Sequence, residues 1–189
     1  MASHNSGSGS LFGWLNRFLR RLRRKILDLR GYVPGLRFRH QTEKMVGPVG
    51  FWDELQRYQF KVLEANGLKP GHALLDIGCG PLQGGIAFIR YLDEAGYTGV
   101  DYNLAPIEAA YRQIVEHKLA RKNPRLIHSG KFGDDRLSGE TFDFIWASQI
   151  LYYFDEAKLG EVFALARRRL RPGGKLLGDF INPEKFESL

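Results

Sequence analysis

Two carboxylates and a glycine turn carry the chemistry legible in this sequence. Asp76 stands in the apolar run Leu74-Leu75-Asp76-Ile77, and the turn Gly78-Cys79-Gly80-Pro81-Leu82-Gln83-Gly84-Gly85 follows at once. Glycines allow positive φ and let a ligand approach the backbone where a Cβ would obstruct it. Ile86 to Leu92 then shows the apolar spacing of a helix laid against a sheet. A strand, a tight turn and a helix open a nucleotide-binding α/β unit. Asp101 lies 21 residues after Gly80 and ends the run Tyr97-Thr98-Gly99-Val100-Asp101. An acid at that spacing reaches a ribose diol, because a carboxylate accepts both hydroxyl protons. Tyr102 and Asn103 follow in the same loop, where they could touch a nucleoside. The plainer roles are structural: Asp76 in an ordinary turn before a helix, and Asp101 capping the next one.

Charge narrows the ligand. The dinucleotide fingerprint G-x-G-x-x-G sets a pyrophosphate on a helix N-terminus, but here the glycines stand at 78, 80 and 84, one residue out of register, with Gly85 beside them. A carboxylate at Asp76 repels a pyrophosphate and attracts a cation. S-adenosylmethionine (SAM) has no phosphate, carries an ammonium and has a positive sulfur, so hydrogen bonding and charge attraction suit it better. Cys79, the single cysteine, sits inside the turn. With no activating partner in view, it reads as a small space-filler rather than a nucleophile.

The elements that must position these residues occupy a neutral body behind a basic arm. Residues 1–40 hold nine Lys or Arg and one acid, and residues 41–189 hold 19 basic and 20 acidic residues. That balance argues against a broad nucleic-acid surface on the body. One cysteine excludes an intrachain disulfide and fits a reducing compartment. The histidines show no metal-ligand spacing. Residues 1–10 are Ser/Gly-rich and predicted to be disordered. Residues 11–40 are an arm made of a helix and a linker. From Leu11 to Arg30 the apolar residues Leu11, Phe12, Trp14, Leu15, Phe18 and Leu19 begin one helical face, with Arg17, Arg20, Arg21 and Arg24 opposite. This is an amphipathic helix suited to an anionic membrane surface, or to docking on its own domain or a partner subunit. No stretch has the length and apolarity of a signal peptide core or a bilayer span. The expected location is cytoplasmic, with membrane association at the inner face.

Residues 31–50 read as a linker with local turns, and 51–65 as a helix closed by Asn66-Gly67. Trp52 and Tyr58 on that helix could line a pocket, although Trp52 suits the core better. A second crossover helix is predicted over 106–122 and a third strand over Arg125-Leu126-Ile127-His128. The fourth strand is Phe142 to Ala147, followed by Ser148 to Phe154 at its carboxyl edge. A helix over 155–170, a Pro172-Gly173-Gly174 turn and a fifth strand over 175–181 complete the series. Strands alternating with helices imply an α/β, Rossmann-like doubly wound parallel sheet.

Four motifs in order, LLDIGCG, YTGVDYN, FDFIWASQILYYF and LRPGGKLLGDF, resemble class I SAM-dependent methyltransferases over roughly residues 45–181. GCGPLQGGIAFIRYLD resembles bacterial members with a GCGxLxGG turn. The resemblance implies that Asp76, Gly78 and Gly80 hold the methionine part of SAM, with Cys79 inside that turn, and that Asp101 holds the ribose. It places Phe132 beside the adenine and Ser148 and Gln149 at the border of the methyl-transfer site. Tyr152 and Tyr153 would line the acceptor pocket, Tyr153 standing where the family commonly has a histidine. Two departures stand out. Lys131 occupies the position from which an acid often meets the adenine amine, with Asp134 or Asp135 as substitutes if the loop bends. The family sheet also adds a sixth strand and an antiparallel seventh, whereas only Asn182 to Leu189 remain here. The fifth strand is then an expected edge, in a fragment or in a chain whose partner, such as a second copy, covers it.

Three functions compete at this point. The first is a methyltransferase using SAM on a small-molecule, lipid or glycan acceptor, with no general base evident. The second is a catalytically silent SAM-fold module that binds a membrane or partner subunit. The third, an NAD-dependent oxidoreductase, is disfavoured by the glycine register and by Asp76.

Overall fold

The computed structural model describes residues 19, 37–47 and 49–179. The amphipathic arm over 11–30, apart from the helical and exposed Leu19, lies outside the described residues, as do residues 1–10 and 180–189. The chain divides into two compact units, one through Phe51 and one from Trp52 onward.

In the first unit the stretch expected to be a linker holds a helix, α1 (Arg37–Lys44). Its sequence has no apolar stripe, and local hydrogen bonds support it instead. The Thr42 hydroxyl donates to the Phe38 carbonyl at 2.8 Å. Glu43 accepts from Arg39 Nε at 2.5 Å and from the Gly50 backbone N–H at 2.6 Å. The prolines and glycines at 34–35 and 47–50 thus bound a helix rather than dissolve the segment.

The second unit begins with α2 (Trp52–Ala65), whose inward residues Trp52, Gln59 and Leu63 are buried while Tyr58 is exposed. It ends as Asn66-Gly67 predicts. Gly67 has φ +96°, its N–H donates to the Glu64 carbonyl, and the Leu68 N–H reaches back to Leu63. Five parallel strands follow: β1 (Leu74–Ile77), β2 (Tyr97–Asp101), β3 (Arg125–His128), β4 (Phe142–Ala147) and β5 (Leu170–Gly178). Their spatial order is β3-β2-β1-β4-β5. The order reverses between β1 and β4, and such a switch point opens a crevice outside the strand carboxyl ends.

Helices α3 (Gly85–Tyr91), α4 (Leu104–Glu116) and α5 (Glu156–Arg169) make the crossovers. Strand alternation divides the core. Leu75 and Ile77 pack with Val100, Ile145, Val162 and Leu165 on one side. On β2, Gly99 is in register with Asp76 and Tyr97 with Leu74, so Tyr97 and Asp76 share a face.

Two element boundaries correct the sequence reading. The second crossover helix runs over Leu104–Glu116, not 106–122. Asn103 caps it by accepting from the Ala105 N–H, and Pro106 sits in the first turn, where a missing N–H is harmless. Its end is a Schellman turn with Lys118 at φ +56° and Leu119 N–H donating to the Ile114 carbonyl. A short 3-10 turn, Ala120–Lys122, takes up the remainder. The fifth strand starts at Leu170, before the Pro172-Gly173-Gly174 segment, and ends at Gly178. Phe142 pairs with Leu170 and Phe144 with Lys175, so that segment is an irregularity within the pairing rather than the turn before it.

Candidate cofactor and methyl-transfer site

At the carboxyl end of β1 the backbone turns sharply. Gly78 has φ +71° and Gly80 φ +52°, conformations an L side chain resists. The Gly78 and Cys79 N–H groups both donate to the Val100 carbonyl at 2.8 and 3.0 Å, which fastens the turn to β2. Leu82, buried and without glycine's freedom, also takes φ +67°. Strained backbone of this kind clusters where a ligand is clamped.

Asp101 completes the turn. Its carboxylate accepts from the Gly80 N–H at 3.0 Å and from the Asn103 N–H at 2.8 Å, which joins the two sequence motifs directly. Burial raises its pKa despite those bonds and the nearby His128. Asp76 is more deeply enclosed. Burial pushes its carboxyl up to about 7, against the lowering effect of a 2.7 Å hydrogen bond from the Tyr97 hydroxyl, and repulsion from Asp101 adds to the rise. The Tyr97 hydroxyl fits only because two glycines stand beside it. A Cβ on Gly85 would come within 2.6 Å of that oxygen, and one on Gly99 within 3.0 Å. Tyr97 read from the sequence as an apolar strand residue; the paired glycines Gly85 and Gly99 were the available signal. Cys79 packs over Gly99, and burial, then Asp76 and Asp101, push its thiol well above the ordinary range. Those surroundings hold it as a neutral thiol.

Beside Asp101 lies a cavity of about 530 Å³ at the strand carboxyl ends. Its apolar wall comes from Ile77, Val100, Ile150, Phe132 and Phe154. Tyr102 and Tyr153, each 77% exposed, stand at its mouth. Phe132 has φ +53°, and Gly133 after it φ +79°. For a bulky residue that backbone is a genuine outlier, and here it sets the ring in the wall, 5.6 Å from the ring of Phe154. Lys158 reaches in from α5 with its Nζ 4.7 Å from the Phe132 centroid.

The loop after β3 settles which acids turn toward the cavity. Asp134 is held by Arg168 at 2.6 Å and Arg169 at 2.8 Å. Partial desolvation works the other way, but these arginines keep its carboxyl below the usual range. Asp135 accepts from the Ser129 hydroxyl at 2.9 Å. Lys131 is exposed, and none of the three lines the cavity, whereas Ser129 and Gly130 do.

Ser148, Gln149 and Tyr152 stand beyond the cavity lining. The Ser148 hydroxyl and the Gln149 N–H both donate to Asp179 at 2.5 Å, and Gln149 has φ +61°. The Gln149 side-chain amide donates to Gln83 Oε1 at 2.9 Å. Gln59 donates to the same atom at 3.2 Å, and Gln56 to the Gln83 carbonyl at 2.8 Å. Asp179, Gln83, Gln59 and Gln56 form a polar network with Ser148 and Gln149 that the sequence reading missed, since these segments meet only in the fold. Tyr152 packs on Tyr153 with ring centroids 4.5 Å apart. Burial first, then Tyr153, pushes its hydroxyl up to about 12. Among the described residues no cluster of His, Cys, Asp or Glu could hold a metal ion.

The donor set fits an adenosyl group: an acid anchored at the turn, an apolar slot with aromatic walls, and room for a nucleoside. Comparison with known proteins agrees on the fold. A protein from Pyrococcus horikoshii OT3 superposes with TM-score 0.60 at 21% identity, covering 72% of this chain and 57% of its own. The glycopeptide N-methyltransferase MtfA, complexed with sinefungin, gives TM-score 0.57 at 20% identity, over 71% of this chain and 57% of its own. Precorrin 8w decarboxylase from Methanobacterium thermoautotrophicum gives 0.57 at 18% identity, over 77% of this chain and 71% of its own. The chain thus spans 57% of the length of the first two. No curated protein sequence matches it. A family model described as a methyltransferase domain matches residues 75–176, more than half of the chain. This chain therefore belongs to the methyltransferase domain family, in its class I, SAM-dependent form.

Proposed function

We propose that the protein binds SAM at the glycine turn between β1 and α3 and transfers its methyl group to a small-molecule, lipid or glycan acceptor. The observation that carries this reading is Asp101, tied to the Gly80 N–H beside an aromatic-walled cavity at the sheet's switch point. MtfA, which shares the fold, was also solved with SAM and with S-adenosylhomocysteine.

In this reading Asp101 accepts from the ribose hydroxyls, and Phe132 and Phe154 hold the adenine in the apolar slot. The turn from Gly78 to Gly80, with Asp76 behind it, meets the methionine part. Ser148 and Gln149, fixed by Asp179, border the reacting centre. SAM supplies a methyl carbon already activated by a positive sulfur: an acceptor lone pair forms the new bond to that carbon, and the breaking C–S pair stays on sulfur. The chain's contribution is chiefly alignment. With its hydroxyl near pH 12, Tyr152 is a poor base at neutral pH. An acceptor that carries a proton passes it to solvent or to a group it brings. Tyr102 and Tyr153, which line the cavity mouth, support contact with cofactor and acceptor there.

The amphipathic stretch over 11–30 supports an acceptor at an anionic membrane surface on the cytoplasmic side. The test of the site is calorimetric titration with S-adenosylhomocysteine, using Asp101→Ala as the comparison. Binding by the wild-type protein that falls at least 100-fold in the variant is expected. No binding by the folded wild-type protein, or equal binding by both, refutes the site.

A further inference from the structure

We propose that Lys158 reads the adenine edge, its ammonium donating a hydrogen bond to a ring acceptor where related sites use an acid to accept from the amine. This rests on the adenosyl-binding reading above and adds to it the group that selects the base.

Three observations lead there. Among the described residues, Asp101 and Lys158 are the two charged side chains that line the cavity. Asp101 is tied to the turn through Gly80 and Asn103, on the ribose side. The acids that the loop after β3 could have offered to an amine are engaged elsewhere: Asp134 by two arginines and Asp135 by Ser129. A base laid against the Phe132 and Phe154 rings therefore meets the Lys158 ammonium at its edge, and neither acid of the loop after β3 faces it.

The geometry holds the lysine in place. Its Nζ lies 4.7 Å from the Phe132 centroid and donates to Glu161 Oε2 at 2.7 Å and to the Gly130 carbonyl at 3.4 Å. An ammonium has three hydrogens, so one is left to donate. The Phe132 contact adds cation–π attraction. Adenine offers unprotonated ring nitrogens as acceptors, and an ammonium is a donor only. The simpler view is a surface lysine paired with Glu161 three residues on. That pairing alone gives no reason for Lys158 to line the cavity against the strained Phe132.

The two chemistries predict opposite selectivity. A carboxylate that accepts from the adenine amine rejects a deaminated base, because its acceptor would face a carbonyl oxygen. A lysine tolerates that base, since the carbonyl gives it another acceptor. The experiment titrates S-adenosylhomocysteine and S-inosylhomocysteine into the wild-type protein and Lys158→Met, with circular dichroism to establish the fold. Expected are wild-type affinities within tenfold of each other, and a loss of about tenfold for both ligands in Lys158→Met, the usual effect of removing one charged hydrogen bond. An inosyl analogue more than tenfold weaker in the wild type, or a change under fivefold in Lys158→Met, overturns the lysine's role while adenosyl binding stands. If the folded wild-type protein binds neither ligand, both readings fall.

Discussion

Asp76→Asn gives the sharpest test of the electrostatics at the turn. An aspartate titrates near 3.8 when unperturbed, and burial, opposed by Tyr97 and reinforced by Asp101, takes Asp76 up to about 7 in the folded protein. The folded state thus binds more protons than the unfolded chain between those values. Stability from this group is fully present below pH 4 and lost as the pH rises through 7. At roughly 1.4 kcal/mol per pKa unit the whole effect is on the order of 4 kcal/mol. Asparagine is neutral throughout and keeps an oxygen to accept from the Tyr97 hydroxyl, so the variant should lack this loss. The assay is thermal or urea unfolding of both proteins at several pH values from 4 to 8. Their difference in stability should be small at pH 4 and grow in favour of the variant by up to about 4 kcal/mol at pH 8, or about 8–16 °C in Tm for a chain of this size. Asp101, whose pKa is raised as well, titrates in both proteins and largely cancels in the difference. A difference that stays constant from pH 4 to 8 would show that the Asp76 carboxylate is not destabilised by its burial, and the argument would fail.

Two further outcomes follow from contacts at the sheet edge and from the basic arm. Asp179→Ala leaves the Ser148 hydroxyl and the Gln149 N–H without their 2.5 Å acceptor and frees a residue held at φ +61°; it should cost about 2 kcal/mol in urea unfolding, with Asp179→Asn losing less, and an alanine variant as stable as the wild type would refute the tie. Deleting residues 1–30 should abolish pelleting with anionic liposomes while leaving S-adenosylhomocysteine binding unchanged; unchanged pelleting, or none by the intact chain, would sink the membrane reading.

What could be read in the sequence was what depends on spacing along one segment. Gly80 and Asp101 meet because a strand, a turn and a crossover helix fix 21 residues as a nearly constant geometry. Asn66-Gly67 announced its helix end because glycine takes the left-handed position without strain. The same turn at Lys118 passed unread, since lysine gives no such signal and the helix was extended through it. β5 was misplaced for a related reason: Pro172-Gly173-Gly174 has the composition of a turn, yet pairing with β4 resumes on either side of it.

Tyr97, Asp179, Gln83 and Lys158 lay beyond such reading because each acts on a residue from a distant segment. A tyrosine in a central parallel strand has the signature of core packing, and its burial at 2% agrees. Its hydroxyl becomes part of the site only because β1 and β2 pair with Asp76 opposite Gly99, two residues beyond Tyr97. A one-residue slip of that pairing would turn Tyr97 to the other face. The position of Lys158 depends in the same way on α5 crossing above the loop that forces Phe132 into a left-handed backbone. Candidate binding acids can thus be picked out from local spacing, whereas the groups that set their pKa, and the lysine proposed to meet the base, are fixed by register between strands and by helix placement.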